Sequence, residues 1–124
     1  MSDWTPDELD AVGRADEVGV TSRRADGTLR PFVTIWVVRV GDEVYVRSAY
    51  GPENGWFRRA RESGDGRIRG DGFVRDVAFE TPDSAVDADL DAAYHAKYDR
   101  YGPVMVATVV LPRAARSTLR LVPR

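Results

Sequence analysis

Hydrophobic and polar positions alternate in short runs over most of the chain and change to helical spacing in three places. The first helix is signalled at the start: Thr5 caps it, Pro6 takes the first position and Glu8 completes a capping box. Trp4 and Leu9 stand at staple spacing, and Gly13 is the expected stop. Residues 17–22 alternate as a strand with Val18 and Val20 on one face, and Arg24-Ala25-Asp26-Gly27-Thr28 reads as a hairpin turn. Residues 29–40 form the long strand. Phe32, Thr34, Trp36, Val38 and Val40 share one face, and Val33, Ile35 and Val37 the other. Apolar residues on both faces predict cover on both sides: a barrel interior on one, a helix or second subunit on the other.

Gly41-Asp42 turns the chain into a strand over 44–48, and Trp56-Phe57 opens an Arg-rich helix. Short strands follow at 67–69 and 73–79 around the turn Gly70-Asp71-Gly72. The best helical stripe, Val86, Leu90, Ala93, Tyr94, Lys97, Tyr98 and Tyr101, predicts a helix over 84–101 that Gly102-Pro103 ends. Residues 104–111 fit a helix or a strand, because periodicity does not separate the two in so short an apolar run. Residues 118–122 read as a last strand. About six strands, mostly hairpin-joined, with three or four helices predict one mainly β (α+β) domain: a small antiparallel barrel with helices outside.

Composition narrows the chemistry. The chain has 124 residues, 43% of them hydrophobic, enough for one domain with one core. Its apolar runs are too short to cross a bilayer, and MSDWTPDELD lacks the pattern of a signal peptide. Cysteine is absent, which excludes disulfides and suits the cytoplasm. His95 is the only histidine and lies off the apolar stripe, so histidine-rich zinc sites and Ser-His-Asp triads have little to work with. Asp87, Asp89 and Asp91 spread around a helix axis and make no metal cluster. Net charge is −2 despite seventeen arginines against one lysine, which argues against a nucleic-acid partner.

The arginines cluster at Arg23-Arg24, Arg47, Arg58-Arg59-Arg61 and Arg67/Arg69. Arg47-Ser48 ends a strand just before a glycine-bearing loop and a helix start, an arrangement that can hold a phosphate. The same pair also fits a solvated strand edge. Trp36 fits a core or interface position, Trp56-Phe57 a helix anchor, and Arg58 is the member of its cluster expected to turn inward. Tyr94, Tyr98 and Tyr101 stand at packing positions.

Three segments resemble the flavin-binding split-barrel superfamily, which includes pyridoxamine-phosphate oxidases and deazaflavin-dependent nitroreductases. They are Arg24–Pro31, the strand around Trp36, and Tyr45-Val46-Arg47-Ser48. The loop Ser48-Ala49-Tyr50-Gly51 before Trp56-Phe57 resembles the phosphate-loop pattern of the deazaflavin group. Over its full length the chain is more closely similar to a small family of uncharacterised bacterial proteins common in actinomycetes. Their recurring pattern is a Trp-Thr-Pro start, an Arg-Arg-x-Asp-Gly-Thr-x-Arg-Pro turn, a Val-Arg-Ser strand end and a closing Leu-Arg-Leu-x-Pro. The superfamily resemblance implies a split β-barrel homodimer with FMN or a deazaflavin coenzyme at the subunit interface. Carried over, Arg47, Ser48, Tyr50 and the backbone of Gly51 hold the phosphate, Arg58 supports it, and Trp36 and Trp56 wall the ring. The implied activity is reduction of small molecules. A competing reading is a non-enzymatic module of the same fold that holds another small anionic or aromatic ligand. It is favoured by the shortened loop and by Tyr50 standing where the deazaflavin group often has lysine.

Overall fold

In the computed structural model, which describes residues 4–49 and 51–124, Thr5 caps helix α1 (Pro6–Arg14) as expected. Thr5 Oγ1 accepts from Glu8 N at 3.1 Å, and Thr5 N donates to Glu8 Oε1 at 2.9 Å. Trp4 and Leu9 are buried in one cluster. The helix runs past Gly13 and closes where Ala15, in an extended conformation, donates to the Ala11 carbonyl.

Strand β1 (Val18–Ser22) turns through Gly27, whose φ of 87° suits a residue without a side chain. The predicted long strand then departs from expectation. Residues 29–32 lie outside any strand apart from a single bridge, Arg23 to Leu29. Pro31, with no N–H to give, sits at the interruption. The rest is two short strands, β2 (Val33–Ile35) and β3 (Val38–Val40), separated by Trp36-Val37. β2 pairs with β1 through Val18↔Ile35. β3 pairs instead with β4 (Glu43–Arg47), through Val38↔Tyr45.

Helix α2 (Gly55–Ser63) is capped by Asn54 and stopped by left-handed Gly64. The hairpin β5 (Asp65–Gly70) and β6 (Phe73–Glu80) follows. The predicted 84–101 helix is a 3₁₀ turn, then α3 (Asp87–Tyr98), then another 3₁₀ turn. Residues 104–111 resolve as α4 (Pro103–Val110), with proline at its first position, followed by short α5 (Pro112–Ala115) and β7 (Thr118–Pro123).

The seven strands form one antiparallel sheet in the order β2-β1-β5-β6-β7-β4-β3. Its two edge strands are consecutive in sequence, so the sheet curls until its edges meet at the Trp36-Val37 corner. The corner's backbone joins neither ladder at Val37, and α3 supplies the missing partners. Val37 N donates to Tyr98 Oη at 3.0 Å, and Lys97 Nζ donates to the Val37 and Val12 carbonyls at 2.8 Å each. Burial on both sides of the strand has the same origin. Val37 packs in the barrel core with Val20, Val46, Ile68 and Leu121, whereas Val38 packs outside it with Leu90, Tyr94 and Val109.

Candidate functional site

Where β2, the end of β4, the start of α2 and α4 converge, a cleft of about 430 Å³ opens. Trp36, Trp56, Met105, Val109, Arg47 and Glu17 are among its lining. The volume lies within the range of roughly 300–1,000 Å³ usual for small-molecule sites. Three predicted site residues, Trp36, Arg47 and Trp56, therefore meet in one place. Trp36 has a packing role as well: its ring stacks on Tyr98 at 4.0 Å between centroids and 3° between planes, with Tyr101 at 5.5 Å.

Arg47 is not part of a solvated strand edge, the alternative to a phosphate contact. It is 2% exposed. Its Nε donates to Thr118 Oγ1 at 3.0 Å, and its Nη1 to Asp91 Oδ1 at 2.6 Å and the Val109 carbonyl at 2.8 Å. Nη2 lies 3.5 Å from Asp87 Oδ1. Asp87 and Asp91, one helical turn apart on α3, thus form a carboxylate pair around one guanidinium. The sequence signal was the i,i+4 spacing inside the aspartate run. Tyr94 lies beneath, with the Arg47 guanidinium 5.7 Å from its ring centroid, and burial pushes its phenol well above the usual range.

Ser48 is also buried, its backbone N–H donating to Ser117 Oγ at 2.9 Å. Gly51 is buried at φ 79°, and a Cβ there would lie 2.7 Å from the Arg113 side chain, so Arg113 lies across this loop. Arg113 also reaches Glu53 at 3.8 Å. Tyr50 lies outside the described residues. Arg58 is exposed on α2, and its neighbour Arg59 is the one that turns to a cleft.

That second cleft, about 170 Å³, shares Val33 and Trp56 with the first and is lined also by Thr21, Ser22, Arg30, Pro31 and Arg59. Among the described residues no carboxylate pairs with Arg30 or Arg59, and Arg30 Nε is buried without a hydrogen-bond partner. Arg59 folds back over Gly55, where a Cβ would come within 2.8 Å of its Nη1. Two cations left unpaired beside buried hydroxyls make this the electropositive part of the groove. Sequence reasoning did not single out either residue, although Arg30 stood in the Arg-Pro turn and Arg59 in the Arg58–Arg61 cluster. Among the described residues no group of three or more acidic, histidine or cysteine side chains is placed to hold a metal.

A family model described as an uncharacterized protein conserved in bacteria, DUF2255, matches residues 8–121. The chain belongs to this family. No curated protein matches it by sequence. Among solved structures, a conserved hypothetical protein of Mycobacterium tuberculosis is similar at TM-score 0.64 and 17% identity, over 100% of this chain and 81% of that one. A protein named F420 reductase is similar at TM-score 0.55 and 15% identity, over 93% and 90%. A FAD-binding protein from Mesorhizobium loti is similar at TM-score 0.54 and 17% identity, over 98% and 91%. At such identities the likeness is one of fold: this chain shares the split-barrel fold of these three proteins.

Proposed function

We propose that this chain binds a flavin- or deazaflavin-type coenzyme and works as a homodimeric reductase of small molecules. The observation that carries the reading is the pairing of an aromatic-walled cleft with an adjoining cationic one across Trp56. A coenzyme with a flat ring and a phosphorylated side chain needs both. The ring sits between Trp36, Trp56 and Met105, and the phosphate takes the guanidinium groups of Arg30 and Arg59. Arg47 orders the wall from within, holding β4 to α3 and α4. Such a coenzyme supplies hydride transfer, while the protein supplies position, polarity and shelter from water.

The exposed face of α4 supports the dimer. Val104 is 81% exposed and Met105 52% on a helix whose exposed face is apolar apart from Thr108, and Tyr101 and Leu111 are open just before and after it. Met105 also lines the larger cleft, so a second copy on this face would close its mouth.

Titrating the purified chain with FMN and with a reduced deazaflavin, followed by absorbance and fluorescence, tests the proposal. Binding in the micromolar range is expected, weakened about tenfold by Arg30→Ala or Arg59→Ala. Absence of binding by either coenzyme at tens of micromolar would remove it. One observation favours the competing reading of a ligand-holding module without redox chemistry: the internal pairing of Arg47 leaves the anticipated strand-end cation committed to the protein itself.

A further inference from the structure

The larger cleft carries a charge that the coenzyme leaves unused. Glu17 lines it, is exposed, and makes no ion pair or side-chain hydrogen bond among the described residues. Its position follows from register: Gly19 faces Thr34 and Val18 faces Ile35, so one step further along the ladder Glu17 comes beside Trp36. The neighbouring carboxylate, Asp16, is engaged by Arg100 and by Tyr101 Oη. Arg47, the cation among the cleft's lining residues, is matched by Asp87 and Asp91. Among the described residues, Glu17 is thus the lining carboxylate without an ion pair at one end, in front of an aromatic wall behind which the Lys97 ammonium is held by the Val12 and Val37 carbonyls, while Arg30 and Arg59, also without carboxylate partners, lie beyond Trp56. The lining side chains left without ion pairs thus differ in sign at the two ends: a carboxylate at one and guanidiniums at the other.

We infer that the Glu17 end of the cleft receives a planar second reactant bearing positive charge or several N–H donors, an aryl amidinium or protonated aromatic amine in chemical class, and that Glu17 sets this preference. The inference rests on the coenzyme reading only in treating that molecule as a reactant; the charge preference itself does not depend on it. An exposed carboxylate acts modestly and is screened by salt, so a selectivity of about three- to fivefold between matched cationic and neutral ligands is expected at low ionic strength.

The 124-residue chain is titrated with benzamidine, benzamide and benzoate, reading quenching of tryptophan fluorescence, to which Trp36 and Trp56 contribute two of the three side chains, at low and high salt. Benzamidine binds best and benzoate worst, and the spread shrinks as salt is added. Glu17→Gln brings benzamidine to the level of benzamide and leaves benzamide binding and the far-ultraviolet dichroism unchanged. Equal binding of benzamidine and benzamide, failure of all three to bind, or a preference that survives Glu17→Gln overturns the inference. FMN titrated into the same variant separates the two ideas. FMN binding without any charge preference sinks the role of Glu17 alone. A preference for benzamidine in a protein that binds neither FMN nor deazaflavin sinks the coenzyme reading alone.

Discussion

Arg47 is the residue whose meaning changed most between chain and fold. Its place at a strand end before a glycine-bearing loop was legible, and so was its type. Its burial was not, because the groups that neutralise it, Asp87, Asp91 and the Val109 carbonyl, lie 40 or more positions away. Removing one partner of such a network leaves the others uncompensated. Arg47→Ala is expected to cost about 3 kcal/mol in urea unfolding, and Arg47→Lys to recover little of it, since an ammonium cannot reproduce the fork of contacts. Lys97, the only lysine, is a second case. Burial lowers its pKa from 10.5 to about 8. The folded state thus sheds this proton before the unfolded state does, and between about pH 8 and pH 10.5 the unfolded chain binds more protons. Stability of the wild type relative to Lys97→Met should rise as pH increases through that window and level off below about pH 8, where both states hold the proton. Melting curves of both proteins at pH 7, 9 and 10 check the sign.

At the scale of elements, local signals were read well where local energetics decide. The Thr5 capping box, the helix opened by Trp56-Phe57 and the hairpin of β5 and β6 all depend on residues a few positions apart. The 29–40 strand was misjudged because its break serves the barrel, with Tyr98 and Lys97 making the break tolerable from the far side of the molecule. Residues 104–111 were undecidable because helix and strand bury the same apolar run, and only α3 beside them selects the helix. Close approach between elements was equally hidden. A Cβ at Gly66 would lie 2.0 Å from the Thr21 carbonyl oxygen and 2.7 Å from Phe79, so β5 passes β1 where no side chain fits. Gly66→Ala is expected to destabilise by about 3 kcal/mol or more. A comparable Gly27→Ala change, at a turn with open space and a positive φ, should cost only about 1 kcal/mol. Chemical denaturation of the pair compares the two.

For the molecule as a whole, the uncovered face of α4 is the feature a lone protomer leaves unexplained. The wild type should elute from size exclusion as a dimer, and Val104→Asp should shift it toward monomer while preserving helical dichroism, because a desolvated carboxylate opposes burial of that face. Wild-type elution as a monomer at micromolar concentration would remove the interface from the proposed function.

The amino-acid order determined the alternation of small antiparallel strands and capped helices, the two-sided burial around Val37 and Val38, and the presence of arginine and tryptophan near one loop. These rest on contacts within a strand, a turn or a helix, whose periods are printed along the chain. Only the folded arrangement decided which charges are spent internally and which stay available. Charge compensation is a matter of distance in space, and the packing of α3 brought Asp87 and Asp91 to Arg47 while leaving Arg30, Arg59 and Glu17 without ion pairs among the described residues.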